Sequence, residues 1–167
     1  NISFVGAAYR DRLEFLERTI ERIQAKSMTF GIVGNFHRKG WYGKRQLERA
    51  NPRIARSLIS RQLPPGEVNR LYAQSATVLN IHHEQSRIGF NPRTVEIMAS
   101  GRPQILDRKD DLEGLFPEGE CVLYYSSPED VAEHVEAISN DHTLRHKLQA
   151  GALEYARPHS MDMRMRE

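Results

Sequence analysis

Cysteine is almost missing from this chain: Cys121 is the only one in 167 residues. No disulfide can close within the chain, so a disulfide-stapled secreted fold is excluded, and a reducing compartment fits. Cys121 lies in the apolar run Cys121-Val122-Leu123-Tyr124-Tyr125 and reads as a small buried hydrophobe. Long apolar runs are missing as well. None approaches the ~20 residues that span a bilayer, and no signal peptide is visible. The expectation is a cytoplasmic protein with no membrane span. An excess of one charge is also lacking, since 24 Lys and Arg against 22 Asp and Glu leave only +2. That does not argue for nucleic acid or a membrane surface, and no aromatic residues interleave with a basic stripe. No Gly-x-Ser-x-Gly elbow offers a serine nucleophile. The first loop, Gly6-Ala7-Ala8-Tyr9, lacks the G-x-G-x-x-G of a dinucleotide site.

What is present is enough for one domain with a real core. Short apolar runs alternate with amphipathic stretches. Ile2 to Val5, Thr29 to Val33, Thr77 to Ile81, Pro103 to Leu106 and Cys121 to Tyr124 read as strands, with a shorter one near Ser57 to Ile59. Leu13, Leu16, Ile20 and Ile23 recur at helical spacing between the first two. Asn35 to Ala50 reads as basic and irregular, and holds the only tryptophan, Trp41. Helices are expected at about Gly66 to Ser75, Pro92 to Ser100, Asp110 to Leu115 and His142 to Ala156. Another opens at Ser127-Pro128-Glu129-Asp130, which resembles a capping box. Strands alternating with helices predict an α/β, Rossmann-like fold, a mostly parallel sheet with helices on both faces. Ligands of such sheets lie beyond the carboxyl ends of the strands. Gly6, Gly34, His82 and the stretch from Gly89 to Glu96 all follow strands and are expected on one rim.

The stretch Gly89-Phe90-Asn91-Pro92-Arg93-Thr94-Val95-Glu96 carries the most chemistry. Gly89 permits close backbone approach to a ligand. Asn91 suits an N-cap and Pro92 the first helical position. The free N–H groups and partial positive charge of such a helix start suit a phosphate, and Arg93 adds a full charge. Glu96 lies one turn on, on the same face as Arg93, where a carboxylate can hold sugar hydroxyls. Val95, Met98 and Ala99 are expected to face a core. The local pattern equally fits a capped helix with a solvated Arg and Glu.

From Glu67 to Asp107 the chain resembles the nucleotide-sugar half of GT-B glycosyltransferases. The matching pieces are Leu71-Tyr72, the strand Thr77 to Ile81, Gly89-Phe90, Glu96, Ala99 and Gly101-Arg102-Pro103. The form from Gly89 to Glu96 is similar to the CgeB-like group, as are Phe4-Val5-Gly6 and Tyr9-Arg10 near the start. The resemblance implies one nucleotide-sugar-binding domain over residues 1–167. It also implies an N-terminal acceptor domain that this chain does not contain, since the first strand begins at Ile2 with no leading methionine. It implies a nucleotide-diphosphate sugar as donor, no cofactor and no bound metal. Glu96 matches the carboxylate that holds the ribose hydroxyls. Asn91, Arg93 and Thr94, with Gly89 and Phe90, match the segment near the diphosphate. Gly6, Arg10 and Arg12 match the loop near the sugar or phosphate, and Arg61 to Leu63 the seat of the base. Ile88 stands where many retaining members carry the first Glu of a Glu-x7-Glu motif, which counts against a retaining mechanism of that kind.

Other side chains leave alternatives open. His82 could contact the ligand, act as a general acid or base, or bond to backbone at a strand end. His142 and His146 are four apart but lack a third metal ligand. Lys39, Lys44 and Arg45 around Trp41 form a basic patch or a solvated loop. The same fold also serves non-catalytic binding modules and sugar-nucleotide epimerases or hydrolases.

Overall fold

The alternating apolar runs become parallel strands. The computed structural model describes residues 1–7, 9–37, 40–82 and 89–159, without the side chains of Arg10 and Asp11. The first half runs β1 (Ile2–Val5), α1 (Arg10–Ala25), β2 (Phe30–Val33), α2 (Trp41–Ala50), α3 (Pro52–Ser57), β3 (Leu58–Ser60) and α4 (Pro65–Gln74). The second half runs β4 (Thr77–Asn80), α5 (Pro92–Ala99), β5 (Gln104–Asp107), α6 (Asp110–Glu113), β6 (Val122–Tyr125), α7 (Pro128–Asn140) and α8 (His142–Ala156). The sheet order is β3-β2-β1-β4-β5-β6, and all pairs are parallel. This is the Rossmann-like fold expected from the alternation, with its order reversing between β1 and β4.

Side chains alternate across the sheet because a strand has a period of two. Ile2, Phe4, Leu79, Ile105 and Leu123 pack on one face with Leu16, Ile20 and Ile23 of α1 and Val131, Val135 and Ile138 of α7. On the other face, Val5, Val33 and Val78 meet Tyr72 of α4 and Ile97 of α5. Beside them Leu106, Val122 and Tyr124 meet Met98 of α5 and Ala152 of α8. Strands covered on both faces explain the nearly continuous apolar runs.

Several boundaries differ from expectation. The basic stretch holds the helix α2, which buries only Gly43 and Leu47 and so shows little apolar periodicity. The short α3 was not expected either. It has no cap of its own; instead Glu17 of α1 accepts from the N–H groups of Arg53 (2.8 Å) and Ile54 (3.0 Å). On α5, Thr94, Ile97 and Met98 are buried, whereas Ala99 is exposed. The Ser127–Asp130 capping box forms as predicted.

Cys121 is fully buried, and its Sγ lies 3.7 Å from the Pro117 carbonyl. Burial, with Glu120 adding to it, pushes the thiol up to about 12. Thiolate is the reactive form, so a thiol reagent at pH 8 should react with native protein at least about a hundredfold more slowly than with guanidinium-unfolded protein. Comparable rates would show that Cys121 is accessible.

Candidate functional site

Where the sheet order reverses, the loops after β1 and β4 leave in opposite directions and open a crevice. A cleft of about 530 Å³ lies there. Its walls come from Gly6 after β1, Gly34 after β2, Arg61 after β3, Tyr72 of α4, and Arg93 and Glu96 of α5. Backbone reaches the cleft at two glycines. Gly6 N donates to Val33 O (2.9 Å), and Gly34 N donates to Ser60 O (3.0 Å). A Cβ placed on Gly34 would stand 1.8 Å from the Gly6 carbonyl oxygen, so the two loops approach as closely as they do only without a side chain. Across the cleft, the Arg61 guanidinium donates to Asn35 Oδ1.

Arg93 and Glu96 are three residues apart on α5 and both reach the cleft, as their spacing predicts. Glu96 is exposed and Arg93 half-buried. Beneath them lies the fully buried Tyr72. Burial raises the Tyr72 pKa; Arg93 draws it down and Glu96 raises it, so both charges act on one hydroxyl. Arg93 acts on the Tyr72 hydroxyl by side-chain hydrogen bonding as well as by charge.

The rest of the motif forms the foundation of the loop. Asn91 caps α5 as predicted, its Oδ1 accepting from Thr94 N at 3.0 Å. The Asn91 amide also pairs with that of Asn80, whose Nδ2 donates to Thr94 Oγ1 at 3.0 Å. Thr94 is fully buried in this network, facing the sheet and not the cleft. His82 is buried too. Its backbone N and ring Nδ1 both bond to Asp107 Oδ1, at 2.8 and 2.7 Å, and Nε2 lies 3.4 Å from Thr94 Oγ1. That arrangement fixes a proton on Nδ1 and makes His82 a brace between β4, β5 and α5. Gly89 takes a φ of +77° and donates its N–H to the Asp111 carboxylate. Phe90 packs on Phe116 and His159, with ring centroids 5.2 and 5.1 Å away.

Arg12 is also buried. Its guanidinium bonds to Ala7 O (3.4 Å) and Ile81 O (2.9 Å) and lies 4.8 Å from the centre of the Tyr9 ring, so it ties the loops after β1 and β4 together. Arg10 begins α1, and its side chain, like Ile88 and Lys39, lies outside the described residues. Of the residues expected at the site, Gly6, Arg93, Glu96 and the stretch from Arg61 to Leu63 therefore share the cleft. Gly89, Phe90, Asn91, Thr94, His82 and Arg12 support it from behind or beside. Sequence reasoning passed over Tyr72 as a site residue, and Asn80 and Asp107 as supports. Asn80 did carry a signal, as a polar residue inside an apolar strand.

Among the described residues, no group of three or more His, Cys, Asp or Glu comes together to hold a metal. His142 instead contacts Arg145. Among the same residues, no helix is long and apolar enough to cross a membrane.

The family described as glycosyl transferase-like matches residues 10–167. No curated protein sequence matches the chain. Among solved structures, HepE of Anabaena in complex with UDP-glucose superposes with a TM-score of 0.69 at 13% identity, over 93% of this chain and 43% of HepE. The C-terminal domain of the group 1 glycosyl transferase LpcC from Francisella tularensis gives 0.68 at 17% identity, over 93% of this chain and 84% of that domain. The pneumococcal O-GlcNAc transferase GtfA, in complex with UDP and GlcNAc, gives 0.60 at 18% identity, over 93% of this chain and 32% of GtfA. The chain thus spans less than half of HepE and about a third of GtfA, and at these identities the likeness is one of fold.

Proposed function

Because the chain belongs to the glycosyl transferase-like family, we propose that it is the donor-binding domain of a GT-B glycosyltransferase. The cleft at the sheet reversal holds a nucleotide-diphosphate sugar. The observation that carries this reading is the convergence of Arg93 and Glu96 with Gly6 and Gly34 in that cleft. A carboxylate accepts from sugar hydroxyls, a guanidinium favours an anionic ligand, and the two glycines let a ligand approach the backbone closely. The UDP-glucose held by HepE and the UDP held by GtfA support the same class of ligand here.

In the reaction the bond from the sugar C1 to the phosphate oxygen breaks and the nucleoside diphosphate leaves with the electron pair. The acceptor hydroxyl supplies the new oxygen and loses its proton. Negative charge grows on the leaving phosphate, where a preorganised cation and backbone N–H groups lower the barrier. We place the acceptor on a second, N-terminal domain, so this chain alone transfers little. We also place the chain in the CgeB-like group, on its Gly89 to Glu96 stretch, acting in the cytoplasm without a bound metal.

Titration calorimetry with UDP, GDP, ADP and TDP tests the reading. One nucleotide should bind selectively, and Glu96→Ala should weaken it by about 10- to 100-fold, the usual effect of losing hydrogen bonds to a charged group. Binding of none by a folded chain would favour a non-catalytic module on the same fold.

A further inference from the structure

Trp41 and Tyr42 stand out on the surface. Each is 71% exposed, the highest value among the large apolar side chains described. They open α2, which buries only Gly43 and Leu47, so the helix is seated without either ring. Both rings line a groove of about 370 Å³ with Arg45, Gln46, Arg49 and Ala50. A groove of that size suits a small ligand, and exposed aromatic rings grouped at one mark a contact surface. It shares no lining residue with the cleft at the sheet reversal. The groove is also cationic. Arg45 lies over the Trp41 ring, 5.7 Å from its centre, and neither Arg45 nor Arg49 pairs with a carboxylate among the described residues. Glu48, the only acid of α2, pairs with Lys44 instead at 4.0 Å.

The arrangement of the side chains selects the ligand. The two rings stand at 88° with centroids 6.3 Å apart. Parallel rings would sandwich a flat base, whereas perpendicular rings form a corner that a puckered ring fills with its C–H faces. Two guanidiniums free of carboxylates hold an anionic group, and their forks match a carboxylate or a phosphate. Gln46 both donates and accepts, as hydroxyl groups require. A bilayer takes up an apolar helix face, but here aromatic rings and guanidiniums wall one groove. We propose that this groove binds an anionic saccharide, one that bears carboxylate or phosphate groups. Trp41 and Tyr42 cover its C–H faces, and Arg45 and Arg49 take its charge. The site stands whether or not the sheet-reversal cleft holds a nucleotide.

Trp41 is the only tryptophan in the chain, so its fluorescence reports on this groove alone. The probes are tetragalacturonate and glucose 6-phosphate, with maltotetraose and glucose as their neutral counterparts, and oligothymidylate and phosphatidylglycerol vesicles as the other anionic partners. At least one charged sugar should shift the emission saturably at millimolar concentration, and the stronger of the two identifies the charged group. Its neutral counterpart should bind at least about 3-fold more weakly, since exposed ion pairs contribute modestly. Arg45→Gln and Arg49→Gln should each weaken the charged sugar by about 2- to 5-fold and leave the neutral one unchanged. Tyr42→Ala should weaken both by about 10-fold, the effect of losing one covered ring face. All three variants should keep the wild-type melting temperature, because the substituted side chains are exposed. They should also bind nucleotide as wild type does, so the two sites are judged separately. No saturable shift with either charged sugar, an equal response to the neutral counterpart, or a stronger response to oligothymidylate or to the vesicles would overturn the proposal.

Discussion

Gly34→Ala should destabilise the chain by about 3 kcal/mol or more, at the upper end of the range for overpacked sites. The added Cβ would lie 1.8 Å from the Gly6 carbonyl oxygen and 2.7 Å from the Phe36 ring. Neither neighbour can yield cheaply. Gly6 is tied to the end of β2 by its N–H bond to Val33 O. Phe36 is buried in the core and packs edge-on against Phe4, 6.3 Å between centroids. Relief requires parting β1 from β2 at the floor of the cleft, so nucleotide binding should be lost with stability. For a chain of this size the fall corresponds to roughly 6–12 °C in melting temperature. Gly66 is the control. It lies in the first turn of α4 with nothing within 4 Å of an added Cβ. Gly66→Ala should be neutral or stabilise by up to about 1 kcal/mol, since alanine restricts the unfolded chain. Urea denaturation of the two variants decides the matter. A Gly34→Ala midpoint close to that of wild type would mean that the two loops part easily.

Why Gly34 matters could not be read from its neighbours in sequence, and the same boundary divides the rest of the structure. Features with a local cause were legible. The strands announced themselves by composition, α5 by Asn91 and Pro92, and α7 by its capping box. Features whose partner is distant were not. The first turn of α3 is satisfied by Glu17, 36 residues before Arg53, so no local signal marked it. Within the motif, spacing placed Arg93 and Glu96 on one face correctly. It could not tell that the Asn91 and Thr94 side chains would turn towards Asn80, because that depends on where β4 ends beneath α5. Polar side chains near a helix start at a cleft have two uses: contact with a ligand, or satisfaction of the buried loop beneath it. Only the tertiary arrangement shows the partners, and here Asn91 and Thr94 bond to Asn80 and to each other, while His82 bonds to Asp107. Tyr72 shows the converse. It reads as one more apolar residue on α4, and only the tertiary arrangement brings its hydroxyl under the influence of Arg93 and Glu96 at the cleft.

Asp107→Ala should cost about 2–4 kcal/mol, because it leaves two buried donors without an acceptor at typically 1–3 kcal/mol each, eased by water reaching the rim. The donors are the backbone N and ring Nδ1 of His82, whose side chain is 1% exposed against 23% for Asp107. The pair joins the ends of β4 and β5 and, through His82 Nε2 and Thr94, holds the start of α5 in place. Loosening it should therefore weaken nucleotide binding although neither residue lines the cleft. Asp107→Asn keeps one oxygen to accept and should lose less. Acid titration gives an independent check. Burial by itself would raise the Asp107 carboxyl, but the hydrogen bonds and charge of His82, with Lys109 adding to them, outweigh it and hold the pKa below its ordinary 3.8. A carboxyl depressed in the folded state contributes stability that is complete above its unfolded pKa and disappears as pH falls through the folded one. Wild type should thus lose stability more steeply than Asp107→Asn as pH drops below about 4, and the two curves should converge at the acid end. Parallel curves over that range would show that the Asp107 carboxylate is not what braces His82.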